Sequence, residues 1–150
     1  MDAQQLAKSC ADAMFANDRA SVTLGMEVVE VDEGRAELRM TVREDMLNGH
    51  DVCHGGFIFS LADSAFAFAC NSQNHNTVAA GARVEFLLSG SAGDVLTAVA
   101  KKVSQGGRTG IYDVVVSNQS GRTIALFRGN SHRIGGAFDG PHFTQNAGVM

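Results

Sequence analysis

The hydrophobic positions of this chain change period twice. Over Ala3–Asn17, Leu6, Cys10, Ala13 and Met14 recur at three- and four-residue steps, the spacing of one helix face. From Met26 the period is two. Met26–Val31 and Arg35–Val42 read as strands joined by an Asp32-Glu33-Gly34 turn, with Ala36, Leu38 and Met40 alternating against Glu37, Arg39 and Thr41. A polar stretch, Arg43–His54, closes in NGHDVCHGG. The run that follows, from Gly55 to about Ser72, is apolar on every side and predicts a long buried helix. Period two then returns over Thr77–Leu88, Val95–Ser104, Thr109–Asn118 and Thr123–His132, with glycine-bearing turns between. The gaps are short, which favours antiparallel neighbours, because a parallel crossover takes a dozen or more residues.

One antiparallel sheet and a single helix apolar all round predict an α+β fold in which the sheet curls around the helix. The 150 residues suit one domain, over 1–136, with a loosely ordered tail at 137–150 that holds the sole proline, Pro141. The net charge of −4 lacks the basic footprint of a nucleic-acid binder. Three cysteines without a CxxC pair (Cys10, Cys53, Cys70) fit a reducing compartment. No stretch of about 20 apolar residues could span a membrane, and MDAQQLAKSC lacks the marks of a secretory signal, so the expected location is cytoplasmic.

Within the apolar helix stands one carboxylate, Asp63. An ionised carboxylate there is costly unless something compensates it. Gly55 and Gly56 at the helix start leave first-turn amides sterically open, and those amides lack intrahelical partners, so they suit a carbonyl oxygen becoming an oxyanion. Asn48 and His54 crowd the same place. Asp63 lies eight residues past Gly55, roughly 12 Å along the axis. A base or nucleophile and an oxyanion donor must both come within about 3 Å of the reacting atoms. One helix cannot place both; two antiparallel copies can. A catalytic Asp63 therefore predicts a twofold homodimer with shared sites. Burial should raise its pKa and a nearby helix start should lower it; the sequence leaves that balance open.

The run MLNGHDVCHGGFIFSLADSAFAFACNS (Met46–Ser72) resembles the hot-dog-fold acyl-CoA thioesterases, especially those of phenylacetic acid degradation. The likeness continues through VEFLLSGSAGDVLTAVA, RTGIYDVVV and IALFRGNSHRIGG, and it is the spaced combination of NGH, HGG and LAD that makes it specific. The resemblance implies a sheet wrapped around a central helix and dimers with paired sheets, assembling further into tetramers. It also implies cofactor-free hydrolysis of acyl-CoA thioesters, with phenylacetyl-CoA and its ring-hydroxylated relatives favoured. By position, it makes Asp63 the nucleophile or general base and the Gly55 amide the carbonyl donor, with Asn48 and His54 shaping the site. Gly56, Phe57, Arg108 and Thr109 are the candidate substrate contacts.

Competing readings are an enoyl-thioester hydratase or dehydratase and a non-catalytic acyl-CoA-binding dimer. His50, Asp51, Cys53 and His54 are too loosely spaced to predict a metal site. Cys53 reads better as a packed thiol than as a nucleophile, and Phe57, Phe59, Phe66 and Phe68 read mostly as core. Lys101, Lys102, Arg108, Arg122, Arg128 and Arg133 include candidate partners for CoA phosphates.

Overall fold

Residues 1–137 are described in the computed structural model; 138–150, and with them nearly all of the expected tail, lie outside the described residues. The first helix, α1 (Ala3–Phe15), starts from a reciprocal cap: Asp2 accepts from the Gln5 N–H, and the Gln5 side chain accepts from the Asp2 N–H, both at 2.8 Å. A five-residue helix, α2 (Arg19–Thr23), follows from the Asp18 cap. Strands β1 (Glu27–Asp32) and β2 (Arg35–Thr41) form the expected hairpin. Gly34 turns it at a φ of +68°, and its N–H is tied to Ser72 Oγ. After one 3-10 turn (Glu44–Met46) comes the long helix α3 (Gly55–Cys70), then β3 (Thr77–Phe86), β4 (Val95–Gly106), β5 (Thr109–Ser117) and β6 (Thr123–Arg133).

The six strands form one antiparallel sheet in the order β1-β2-β4-β5-β6-β3. Here one expectation fails. The short gap between β3 and β4 does not join neighbours: β3 pairs with β6 at the sheet edge, and β4 pairs with β2. The 87–94 connection crosses two intervening strands instead. Three strand spacings are about 15 Å, and eight extended residues reach about 26 Å, so the short gap suffices. Residues Leu87 and Leu88 belong to this connection rather than to the strand, because both their amides turn to the carbonyl of Ile124.

Helix α3 touches all six strands. Five spacings put the outer strands of a flat sheet about 24 Å apart, more than twice a helix diameter of roughly 10 Å. The sheet is therefore curled around α3. Its inner face carries Ala36, Leu38, Met40, Leu96, Ala98, Ala100, Val114 and Val116, all buried against Leu61, Ala62, Ala65, Phe66, Phe68 and Ala69 of the helix. The helix is not buried all round, however. Gly56, Ser60, Asp63 and Ala67 fall on one stripe, and all four keep some exposure.

Candidate active site

The segment before α3 is stitched so tightly that it fixes where the helix begins. Leu47 bridges to Cys53, the Asn48 N–H donates to the Val52 carbonyl, and Asn48 Oδ1 accepts from the His50 N–H at 2.9 Å. Asp51 takes a φ of +60°, which an Asp side chain tolerates better than most. Cys53 N–H then donates to the Gly90 carbonyl and His54 N–H to the Met46 carbonyl. Asn48 thus serves by holding the loop, with its oxygen committed to backbone.

The first-turn amides are not equivalent. His54 caps the helix: its Nδ1 accepts from the Gly56 N–H at 2.9 Å, and its carbonyl accepts from the Phe57 N–H at 3.0 Å. The accepting Nδ1 carries no proton, so the ring N–H of neutral His54 is on Nε2. Among the described residues, the Gly55 N–H has no acceptor. It lies in a groove of about 310 Å³ lined by Val52, Cys53, Ile58, Phe86, Leu87 and Leu88. Phe86 closes over it so nearly that a Cβ on Gly55 would stand 3.0 Å from the ring. Glycine there leaves the amide open without pressing on the ring. Gly56 is exposed, and Phe57 packs towards the core with its ring edge-on to His54 at 6.1 Å.

Asp63 lines a different cavity, of about 200 Å³, between the second half of α3, Met14 of α1 and the start of β3. Its carboxylate makes no hydrogen bond among the described residues. Burial, and secondarily the negative charge of Asp18, push its pKa above the usual carboxylate value of 3.8. The desolvation side of the balance therefore wins within one chain. Beside it runs a chain of hydroxyls that the pattern of hydrophobic positions does not reveal. Asp18 accepts from Ser21 Oγ at 2.7 Å, and Ser21 Oγ lies 2.9 Å from Ser64 Oγ. Since Ser21 donates to Asp18, Ser64 must donate to Ser21.

Arg108 and Thr109 stand apart from Gly55. The Arg133 N–H donates to the Arg108 carbonyl, Arg133 pairs with Thr77 across β3, and Thr77 is bonded to Asn71 at the C-terminal end of α3. That exposed turn is therefore at the opposite end of the helix from Gly55. Of the other cations, Arg128 is held by two bonds to Asp113, which leaves it poorly placed for a phosphate. Cys53 is buried and its thiol pKa is raised by that burial, so it is held as the unreactive thiol.

Residues 50–125 match the family model of the thioesterase superfamily. The chain is 53% identical over 130 residues to an acyl-coenzyme A thioesterase, PaaI, of Escherichia coli K12, a match covering 87% of this chain and 93% of that one. It superimposes on the structure of the E. coli PaaI protein from the phenylacetic acid degradation operon with a TM-score of 0.90 at 51% identity, covering 91% of this chain and 99% of that one. A hypothetical thioesterase of Streptococcus pneumoniae with coenzyme A bound matches at TM-score 0.72 and 27% identity, covering 75% of this chain and 90% of that one. The curled sheet around α3 is thus the hot-dog fold, and the chain belongs to the thioesterase superfamily.

Proposed function

We propose that the protein hydrolyses acyl-CoA thioesters of the phenylacetyl kind to free acid and CoA, in sites that two chains share. The observation that carries this reading is the separation of its two reactive groups. The one open first-turn amide, Gly55, and the carboxylate Asp63 occupy different cavities of the same chain, roughly 12 Å apart along one helix. An antiparallel second copy laid along the partly exposed Gly56-Ser60-Asp63-Ala67 stripe brings the Gly55 of one chain to the Asp63 of the other. Edge strand β3, with Phe86, Leu87 and Leu88 exposed at its end, offers the surface for pairing the two sheets. Two such dimers would make a tetramer. Among the described residues no helix is long and apolar enough to cross a membrane, which accords with work in the cytoplasm.

In the shared site the thioester oxygen accepts from the Gly55 N–H, and negative charge gathers on it as the carbonyl carbon is attacked. Asp63 either takes a proton from the attacking water or attacks directly, forming a mixed anhydride that water opens. In both routes the C–S bond breaks and the thiolate leaves as CoA. His54 holds the helix start, Asn48 holds the loop before it, and Phe57 steadies the His54 ring. The Arg108–Thr109 turn, being at the far end of α3, would meet a CoA held near the Asp63 of its own chain.

Thiol release from phenylacetyl-CoA tests the reaction, since a hydratase or a mere binder releases none. Complementation tests the shared site. Chains carrying Asp63→Ala and chains carrying Gly55→Ala should each be inactive. Mixed and exchanged, they should recover about a quarter of the wild-type rate, because half the dimers are hybrids with one intact site in two. No recovery after proven exchange would place the site within a single chain.

A further inference from the structure

The start of α3 offers a thioester oxygen a single amide. His54 takes the Gly56 N–H with its ring and the Phe57 N–H with its carbonyl, so of these three first-turn donors only Gly55 is open among the described residues. One donor is a thin provision for an oxyanion, since removing a donor of this kind costs about a hundredfold or more in rate. What stands over that amide therefore matters. Phe86, the last residue of β3, aims its ring at Gly55: a Cβ built there would lie 3.0 Å from Cζ, 3.2 Å from Cε1 and 3.4 Å from Cε2. Those three atoms are the tip of the ring. A helical Cβ leans towards the helix N-terminus, the direction in which the first amides also point. The ring tip thus borders the space that an oxygen on the Gly55 N–H would fill. Its backbone is well anchored, because Phe86 pairs with Ala125 of β6 and the next two amides, Leu87 and Leu88, donate to the Ile124 carbonyl. The other side chains along the groove are nearly all apolar, with Ser89 the polar one. Water settles in such a place only with two or more polar partners.

We propose that Phe86 is the wall of the oxyanion site: its ring tip keeps water off the Gly55 N–H and stands against the thioester oxygen as charge gathers there. This rests on the thioesterase reading, which puts that oxygen on Gly55. A hydrogen bond to a charged oxygen strengthens as water leaves, because screening falls. The edge of an aromatic ring also carries the positive part of its quadrupole, and the edge is what faces the oxygen. Both effects grow with the charge, so they favour the transition state over the bound ester. Their loss should therefore appear in kcat rather than in KM. The same geometry sets a limit on what the ring can carry. An oxygen attached to Cζ would reach into the space left for the substrate oxygen and would take the Gly55 N–H for itself.

The test measures kcat and KM for thiol release from phenylacetyl-CoA in Phe86→Leu, Phe86→Ala and Phe86→Tyr. Melting curves and size-exclusion runs select the variants that keep the fold and assembly of the wild type. Phe86→Ala should lower kcat by about tenfold with KM within about threefold, since the amide remains but is wetted. Phe86→Leu, apolar but shorter than the ring, should fall between that and the wild type. Phe86→Tyr, the nearest in size, should be the poorest of the three, by about a hundredfold in kcat. A ring that merely packs gives the opposite order, because Phe86 is 52% exposed and a hydroxyl at its rim would be tolerated. Any folded variant with the wild-type kcat overturns the role of Phe86, as does a loss confined to KM, and both results leave the thioesterase reading intact. Absence of thiol release by the wild type sinks that reading itself, and this inference with it.

Discussion

Gly129 is where the sheet makes room for the central helix, and replacing it with alanine should be expensive. An added Cβ would stand 2.7 Å from Cε2 and Cζ of Phe66 and 2.8 Å from Cδ2. Ordinary carbon contacts are about 3.5–4.0 Å, so the ring or the strand must yield by close to 1 Å. Phe66 is only 1% exposed and is flanked by Tyr112 at 5.7 Å and Phe127 at 5.8 Å, so it has nowhere to swing. Overpacking of this kind costs about 1–3 kcal/mol, from which the reduced entropy of an unfolded alanine returns about 0.5 kcal/mol. At roughly 3 °C per kcal/mol for this chain length, Tm should fall by about 2–8 °C. Phe66→Leu shrinks the obstacle. In thermal and urea melts of both single variants and the double, the two changes should couple favourably by about 1 kcal/mol. A Gly129→Ala variant within about 0.5 kcal/mol of wild type, or strictly additive costs, would refute the reasoning.

Asp63→Asn should separate stability from activity. Because the folded carboxyl holds its proton above the usual value of 3.8, its contribution to stability is present below the unfolded pKa and lost as pH rises through the raised folded one. The variant should therefore release no thiol yet melt higher than wild type at pH 7, with the gap narrowing as pH approaches 3.8; a lower Tm at pH 7 would contradict this. Asp18→Asn keeps a good helix cap but removes a negative charge that opposes ionisation of Asp63. The acid limb of its kcat/KM profile should move to lower pH, and an unmoved or raised limb would exclude Asp18 as an influence.

Much of this was legible in the sequence, for reasons that also mark where legibility stops. Alternation in Ala36, Leu38 and Met40 correctly gives the inner face of β2, because period two is a local property. Sheet order is not local, which is why β3 and β4 look like neighbours and are not. The α2 helix escapes because five residues hold too little periodicity; the cap residue Asp18 was its one signal. The helix rise alone separates Gly55 from Asp63. It cannot tell which first-turn amide is free, since that depends on the His54 ring taking the Gly56 N–H. Arg108 and Thr109 follow two glycines and are expected as substrate contacts, but only the strand register shows which end of α3 their turn lies at.

The two edges of the sheet are unequal, and that bears on where polymerisation would stop. At β1 the register slips between Val28 and Glu30, helix α1 leans against the strand, and the strand carries the charges of Glu27 and Glu30. A pair of chains joined at β3, as proposed, would therefore present two blunt ends to solvent. Such a pair would have no fresh template with which to recruit a third chain edgewise, so a sheet that took one copy at β3 would still refuse a fibre.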